Sequence, residues 1–211
     1  MTESAPNGGL AFSDACERNK HPILEVLEQH FPKRGFVLEI GSGTGQHVVY
    51  FAEKMTTLKW QPSDLAENLP ALVERVEAEG GDNVKPPIAL DIRDGDEAGW
   101  PERVLSAAFS ANTAHIMSWS TVRTMFEGVG KRLKERGVFC LYGPFNDHGK
   151  YTSDSNRAFD LQLKSQDPEM GLRDVKSLET LAEKFNMRLA DQVRMPANNH
   201  TLVFVRKDNP R

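Results

Sequence analysis

A short apolar segment, residues 35–40, leads directly into the glycine-rich stretch Gly41-Ser-Gly43-Thr-Gly45. An apolar run of this length that ends at glycine predicts a strand buried on both faces, as in a parallel sheet. The residues after Gly45 predict a helix. A glycine turn between a strand and a helix lets a ligand approach bare backbone near the helix N-terminus. The segment therefore indicates an α/β fold that binds a ligand at the carboxyl end of its first strand.

The rest of the chain alternates predicted strands with predicted helices. Five strand–helix units are followed by two strands with no helix between them, and a pair joined so closely can be antiparallel. This pattern predicts an α/β sheet that is parallel except at one edge, with helices on both faces. The predicted strands are residues 35–40, 58–61, 87–90, 104–112, 137–142, 188–193 and 201–205.

The length of 211 residues fits one domain. Residues 1–15 are small and polar and predict a flexible lead-in, which leaves residues 16–211 as a single domain. Residues 145–174 form a long polar insert between the fifth strand and its helix. Insertions at the carboxyl ends of strands tend to cover ligand sites, so we expect this insert to cover the substrate.

Net charge, cysteine content and hydropathy limit which partners and which cellular compartment we expect for this chain. The net charge of −4 disfavours a nucleic-acid binder that depends on an overall positive field. The two cysteines, Cys16 and Cys140, form no disulfide framework, and no metal-binding pattern is present. We find no secretory signal and no apolar run of about 18 residues. A cytoplasmic protein without a membrane partner is expected.

Three classes of ligand compete for the glycine turn. A dinucleotide site of the Gly-x-Gly-x-x-Gly type requires a third glycine where this chain has Gln46. A P-loop requires a Gly-Lys-Ser/Thr ending, which this turn lacks. The third class is a nucleoside-type cofactor that is held mostly by its amino-acid end and its ribose.

Two acidic residues favour the nucleoside ligand. Asp64 follows the second predicted strand, 23 residues after Gly41, where a carboxylate can accept both ribose hydroxyls. Its alternative role is that of a helix N-cap, which is compatible with the first. Asp91 ends the third predicted strand, where it reaches a base edge or serves as a plain turn residue.

The combination of Glu39, the glycine turn and the two acids resembles the class I S-adenosylmethionine-dependent methyltransferases. The resemblance implies a seven-stranded Rossmann-like sheet whose last strand is antiparallel. It also implies S-adenosylmethionine as cofactor and S-adenosylhomocysteine (SAH) as its product. The cofactor-binding residues implied are Glu39, Gly41, Ser42, Gly43 and Gly45 at the methionine portion, Asp64 at the ribose, and Asp91 and Ile92 at the adenine.

A closer resemblance covers residues 14–206. The chain looks like the small family of methyltransferase-like protein 26 type, which implies the same fold and cofactor but no general substrate. The fourth predicted strand departs from that family because its residues are unusually small and polar. The matching blocks are Cys16-Glu-Arg-Asn-Lys20 followed by Pro22-Ile-Leu, Trp60-Gln-Pro-Ser-Asp64, Tyr142-Gly-Pro-Phe145, Ser155-Asn156 with Phe159-Asp160, Gly171-Leu-Arg-Asp174 and Met195-Pro-Ala-Asn-Asn199.

Side chains at the carboxyl ends of the strands are candidates for catalysis. Methyl transfer from a sulfonium is an in-line displacement that requires a positioned nucleophile and exclusion of water. His115 is a candidate general base, and the alternative is a structural histidine that caps the next helix. Tyr142 is the second candidate catalytic residue.

Further polar residues complete the predicted pocket. Arg18 can bind the cofactor carboxylate in bidentate fashion, and Asn19 and Asn112 are also assigned to the cofactor. Asn19 can instead be an N-cap, and Asn198 with Asn199 can form a type I′ turn. The predicted substrate-binding residues are Glu17, Trp119, Phe145, Asn146, Tyr151, Asn156, Arg173, Asn198 and Asn199.

These features favour a methyltransferase that acts on a small-molecule acceptor, as a monomer or a homodimer. The chain lacks the Asn-Pro-Pro-Tyr/Phe motif of enzymes that methylate a flipped base, which further disfavours nucleic acid. A non-catalytic cofactor-binding scaffold, a nucleic-acid or protein methyltransferase and a dinucleotide-dependent oxidoreductase remain as alternatives.

Overall fold

Strands and helices alternate along residues 9–208, the part of the chain that this computed structural model describes. The strands are β1 (Gly35–Ile40), β2 (Leu58–Asp64), β3 (Ile88–Ala89), β4 (Leu105–Ala111), β5 (Leu133–Gly143), β6 (Phe145–Asn146), β7 (Arg173–Asp174), β8 (Met187–Met195) and β9 (Asn199–Arg206). The helices are α1 (Asp14–His30), α2 (Gln46–Lys54), α3 (Leu69–Glu79), α4 (Trp119–Arg132), α5 (Asp154–Gln166) and α6 (Val175–Lys184). Short 3₁₀ helices span Ala66–Asn68 and Ile92–Glu97.

Seven of the strands form one sheet in the order β3–β2–β1–β4–β5–β9–β8. β1 pairs in parallel with β2 and β4, whereas β9 is antiparallel to both β5 and β8. This architecture confirms the predicted fold, including the antiparallel last strand. The carboxyl ends of β1, β2, β4 and β5 therefore meet at one edge, which is where the candidate site residues collect.

Apolar side chains cover both faces of the sheet. One core layer joins the sheet to α4 and α6 and includes Phe126, Phe139 and Phe204. The other joins it to α1 and α2 and includes Phe51 and Trp60. The two layers explain why the central strand β1 is a nearly continuous apolar run rather than an alternating one.

The small residues of β4 have a packing reason. A Cβ atom on Gly35 of β1 would lie 2.3 Å from Cβ of Ser106, so the two strands approach where neither carries a large side chain. Ser110 donates a hydrogen bond from its hydroxyl to the Ile40 carbonyl at 2.7 Å, which satisfies this buried polar group. β4 is buried from Leu105 to Ser110 despite its weak strand propensity.

Two segments differ in extent from the sequence prediction. α1 begins at Asp14 after the N-cap residue Ser13, so it includes the last two residues of the predicted lead-in, and residues 1–8 lie outside the described part. The insert contains a helix, α5, together with β6 and β7, which pair in parallel with each other. Within residues 9–208, no helix has the length and apolar character that a bilayer span requires.

Candidate functional site

The turn of residues 41–45, hereafter the glycine loop, lies at the carboxyl end of β1. Gly41, Gly43 and Gly45 have φ angles of 72°, 54° and 75°, a region that L-residues other than glycine seldom adopt. The backbone N–H groups of Gly41 and Ser42 donate to the Ser63 carbonyl at 3.0 and 2.9 Å. The loop is therefore attached to the end of β2.

The three glycines differ in what surrounds them. A Cβ on Gly41 would lie 2.6 Å from Thr113 Cγ2, and one on Gly45 would lie 2.8 Å from Arg75 Cγ. A Cβ on Gly43 would meet nothing within 4 Å. Close packing therefore leaves no room for a side chain at positions 41 and 45. Gly43, by contrast, presents its backbone to open space, as a ligand-binding turn requires.

Asp64 holds the glycine loop from the neighbouring strand. Its carboxylate accepts hydrogen bonds from the Gly43 N–H at 2.6 Å, the Leu65 N–H at 2.8 Å and Asn68 Nδ2 at 2.7 Å. The residue is buried, and the N-cap position of α3 belongs to Asn68. Asp64 thus fixes the loop and occupies the position predicted for a ribose-binding acid.

Glu39 lies beneath the loop, on β1. Its side chain is buried, and Oε2 has no hydrogen-bond partner within residues 9–208. Burial raises the pKa of this carboxyl to about 8 and the nearby Asp64 charge adds to the rise, while a hydrogen bond from Ser42 opposes it. A buried carboxyl oxygen without a partner can accept a hydrogen bond from a cationic or neutral donor group.

Tyr142, at the end of β5, is held by amide side chains. Asn199 Nδ2 donates to its hydroxyl at 3.0 Å, and Asn19 also hydrogen-bonds the hydroxyl. Burial raises the pKa of Tyr142, and the charge of the exposed Arg18 opposes the rise. Asn19 Oδ1 lies 2.6 Å from His47 Nε2, whose pKa is lowered to about 4 by burial. Tyr142 and Asn19 therefore belong to one buried polar chain.

His115 follows β4 and lies under the insert. Its ring contacts Phe159 of α5 edge to face, with centroids 5.3 Å apart, and its carbonyl accepts from the Gly171 N–H at 2.9 Å. Burial, and then the charge of Arg173, lower the pKa of His115 to about 4. The imidazole is therefore neutral at pH 7, and its lowered pKa makes it a weaker base than an exposed histidine.

Asn112 joins the ends of β4 and β5. It adopts a left-handed conformation, with φ of 57°, and its N–H donates to the Tyr142 carbonyl at 2.9 Å. This conformation turns the chain from β4 toward His115. The structure thus brings Asn112, His115 and Tyr142 to the same edge as the glycine loop.

A family model matches almost the whole of the described chain. The family carries the description "Protein of unknown function (DUF938)", and the match spans residues 10–206. The chain belongs to the DUF938 family. The match extends from the start of the described residues through β9, so it includes the glycine loop, the insert and the last strand pair.

Solved methyltransferase structures share the fold of this DUF938 protein. An O-methyltransferase family protein from Burkholderia thailandensis matches with a TM-score of 0.74 and 15% identity, over 93% of this chain and 59% of that one. An O-methyltransferase family 2 protein from Planctomyces limnophilus, in complex with apigenin, gives 0.77 and 14%, over 91% and 57%. PigF with SAH gives 0.73 and 13%, over 88% and 55%.

The DUF938 chain spans less than two thirds of the length of each of these proteins. At this level of identity the likeness establishes the fold alone, which is that of the class I methyltransferases. The sheet order and the antiparallel β9 agree with it. Function must therefore be argued from the site.

The two residues predicted to bind adenine, Asp91 and Ile92, contact other parts of the protein. Asp91 accepts from Arg93 Nε at 2.8 Å and from the Arg93 N–H at 3.0 Å, and this pairing lowers the pKa of Asp91. Ile92 is buried in the core layer with α4 and α6. Asp91 therefore caps a 3₁₀ helix, the turn role that the sequence left open.

Four of the predicted substrate-binding residues take part in hydrogen bonds within the insert or between the insert and its neighbours. Tyr151 donates to Asp160 at 2.7 Å, and Asn156 donates to the Asn198 carbonyl at 3.0 Å. Arg173 Nε donates to the Ala114 carbonyl at 2.9 Å. The Arg173 bond attaches the insert to the loop before α4, and the Asn156 bond attaches it to the β8–β9 turn, in which Asn198 has φ of 58°.

Other predicted substrate residues lie elsewhere. Phe145 is fully buried in the core. Trp119 is 41% exposed and lines a groove of about 970 Å³ between α4 and α6, away from the glycine loop. Glu17 forms an ion pair with Lys20 and lines an outer groove of about 490 Å³, and it accepts a hydrogen bond from Gln46 Nε2 at 3.3 Å beside the glycine loop. Asn146 keeps a buried Oδ1 atom without a partner among the described residues.

One residue with a clear role at the loop was absent from the predicted site. Gln46 Oε1 accepts from the Ser13 N–H at 2.6 Å and from Thr44 Oγ1 at 2.9 Å, which attaches the start of α1 to the glycine loop. The sequence feature that could have indicated this role is the glutamine side chain itself, which stands where a dinucleotide-binding motif requires glycine. Residues 9–208 contain no group of three or more potential metal ligands.

Proposed function

We propose that this protein is an S-adenosylmethionine-dependent methyltransferase that acts on a small-molecule acceptor. The observation that carries the proposal is the glycine loop, which Asp64 holds in place and which leaves the Gly43 backbone open above buried Glu39, whose Oε2 has no partner among the described residues. When bound, the cofactor supplies an electrophilic methyl group on a sulfonium sulfur.

The residues at the loop fit this cofactor. A carboxylate offers about four acceptor sites, and Asp64 uses three, so it can accept one ribose hydroxyl while it holds Gly43. Glu39 offers an acceptor to the cationic amino-acid end. Gly41, Ser42, Gly43 and Gly45 would surround that end.

Gln46 argues against a dinucleotide. Its side chain is fixed by Ser13 and Thr44 at the start of α2, where a pyrophosphate would require a bare glycine. The site therefore suits a nucleoside that carries an amino acid better than one that carries a pyrophosphate. The finer resemblance to the methyltransferase-like protein 26 type stays a prediction.

The preference for a small acceptor rests on the insert. α5 packs over His115 through Phe159, and Arg173 fastens the insert to the loop before α4. An acceptor beneath such a cover must be small enough to be enclosed. The net charge of −4 gives no support to a nucleic-acid substrate.

Calorimetry tests the cofactor. We expect SAH to bind and NAD to give no heat, and binding of NAD alone would contradict the proposal. The variant Gly43→Ala should lose at least tenfold in SAH affinity, because a methyl group and backbone strain enter the ligand space. Gly149→Ala is the matched control, since Gly149 also has a positive φ of 73° and open surroundings but lies in the insert.

Transfer of a labelled methyl group tests the reaction. The protein is incubated with labelled cofactor and a metabolite extract, and label is expected in a small molecule. Tight SAH binding without any transfer would favour a non-catalytic cofactor-binding protein. Label in added RNA or protein, with none in small molecules, would contradict the small acceptor.

A further inference from the structure

The groove between α4 and α6 is a surface that the proposed reaction does not use. Residues 119–127 and 176–185 supply its lining, and its volume is about 970 Å³. The buried sides of both helices fill one core layer, so the groove lies on their outer side. More of its lining side chains are exposed than buried. Such an open surface does not enclose a small molecule, but a peptide can lie along it.

The α4–α6 groove has an exposed apolar end. Trp119, at the start of α4, is 41% exposed, and Ile116, in the loop before it, is 51% exposed. Farther along the groove, the hydroxyls of Thr124 and Thr180 each donate to a carbonyl of their own helix, at 3.1 and 3.0 Å. These hydroxyls therefore already have partners. An exposed tryptophan beside a second exposed apolar side chain is typical of a protein contact site.

The unpaired charges in the α4–α6 groove are positive. Arg123 and Lys184 are both exposed, and neither side chain forms a hydrogen bond or ion pair within residues 9–208. The other charged side chains of the groove, Lys176 and Glu127, already pair with neighbours on their own helices, at 2.7 and 3.0 Å. Arg123 and Lys184 are thus the charges available to a partner. A partner of complementary charge is acidic.

We propose that the α4–α6 groove is the docking site for an acidic peptide segment of a partner protein. An apolar side chain of the segment packs on Trp119, and its carboxylates pair with Arg123 and Lys184. Arginine can hold a carboxylate in bidentate fashion, and tryptophan and arginine are enriched among the residues that dominate interface energies. The groove lies away from the glycine loop, so this docking does not depend on methyl transfer.

A peptide fits this surface better than a nucleic acid does. Nucleic-acid affinity depends on the number of phosphates that the protein neutralises, and Arg123 and Lys184 can neutralise only a few. The net charge of the chain, −4, adds no general attraction for a polyanion. A peptide, in contrast, can dock between helices through a few anchoring side chains.

Selection from a random peptide library tests the chemistry of the partner. Phage-displayed peptides of about 12 residues, long enough to span the groove when helical or extended, are selected on the full chain. The double variant Arg123→Glu/Lys184→Glu serves to remove peptides that bind elsewhere. The remaining sequences should be rich in aspartate and glutamate and carry a large apolar residue. Recovery of no such sequence, or of sequences without acidic residues, would overturn the proposal.

Tryptophan fluorescence locates the bound peptide. Trp60 is fully buried and Trp100 is 8% exposed, so Trp119 is the tryptophan that a docked ligand can cover. A selected peptide without tryptophan should shift the emission to shorter wavelength, and Trp119→Phe should remove most of that shift. An unchanged shift in Trp119→Phe would show that the peptide binds elsewhere and would overturn the docking site.

Charge reversal tests the ion pairs. Arg123→Glu/Lys184→Glu should lower the affinity for a selected peptide at least tenfold. A peptide in which lysine replaces each acid should bind this variant at least fivefold better than the unmodified protein. Lys33→Glu/Arg34→Glu, which reverses two exposed charges between α1 and β1, is the matched control and should stay within twofold. Equal losses in the two double variants would overturn the role of the groove.

SAH and an oligonucleotide separate the remaining outcomes. SAH affinity should stay within twofold in Arg123→Glu/Lys184→Glu, because the groove lies away from the glycine loop. Failure of the unmodified protein to bind SAH would overturn the proposed function and leave the peptide measurements unaffected. Binding of a single-stranded oligonucleotide that requires Trp119, when no acidic peptide binds, would overturn the peptide assignment.

Discussion

The carboxylate of Asp64, at the end of β2, accepts a hydrogen bond of 2.6 Å from the backbone N–H of Gly43, in the loop that follows β1. Register explains the contact, because Ile40 pairs with Ser63 in the parallel β1–β2 ladder. The loop conformation therefore depends on a negative charge supplied by the neighbouring strand. A ligand that approaches Gly43 also approaches Asp64.

Asp64→Asn should disturb the loop although it preserves side-chain shape. The carboxylate faces three donors, from Gly43, Leu65 and Asn68, and an amide must direct its own N–H groups at one or more of them. We expect a loss of about 1–3 kcal/mol in the free energy of unfolding. SAH affinity measured by calorimetry should fall more than tenfold. The exposed Asp82→Asn is the control, and equal affinities in the two variants would refute the role.

Glu39→Gln should change how stability depends on pH. The pKa of Glu39 is raised to about 8 from its ordinary 4.5, so the folded chain binds the proton more tightly than the unfolded chain. The free energy of unfolding should therefore decrease as the pH rises from 4.5 to 8, and the glutamine variant lacks this decrease.

Urea denaturation at pH 5 and pH 8 measures the effect. The stability of Glu39→Gln relative to the unmodified protein should rise by more than about 1 kcal/mol between the two pH values. Glu74→Gln, on the exposed side of α3, should show no such change. A constant difference for Glu39→Gln would mean that the carboxyl is ionised at both pH values.

The sequence predicted the glycine loop and the position of Asp64 because both signals are local. A buried strand that ends at glycine, and an acid after the next strand, need no knowledge of distant contacts. Parallel pairing then brings them together at one edge. The raised pKa of Glu39 could not be predicted from the sequence, because it depends on burial in the folded chain.

The α5 helix shows why the insert was harder to predict. Its buried residues are Asn156, Asp160 and Leu163, so its inner face carries two polar side chains. A search for apolar residues at helical spacing does not find such a face. The bond from Asn156 to the Asn198 carbonyl joins residues 42 positions apart.

Tyr142→Phe should reduce stability through Asn199. The variant removes the hydroxyl that accepts from Asn199 Nδ2 at 3.0 Å and leaves the amide without that partner. We expect a loss of about 0.5–1.5 kcal/mol, with methyl transfer retained because His115 is the candidate base. A double-mutant cycle with Asn199→Ala should show coupling. Additive effects, or complete loss of transfer in a folded Tyr142→Phe protein, would contradict this structural role.

Asp160→Asn should loosen the insert while leaving the sheet intact. The fully buried Asp160 accepts from Tyr151 at 2.7 Å, from Lys164 Nζ at 2.7 Å and from the Leu172 N–H at 2.8 Å, so it joins both ends of the insert to α5. An amide cannot accept from all three donors. Hydrogen exchange in residues 151–173 should quicken at least tenfold, with β1 and β4 unchanged. Asp154→Asn, at the exposed start of α5, is the control, and faster exchange throughout the sheet would show that Asp160 stabilises the whole domain rather than its cover.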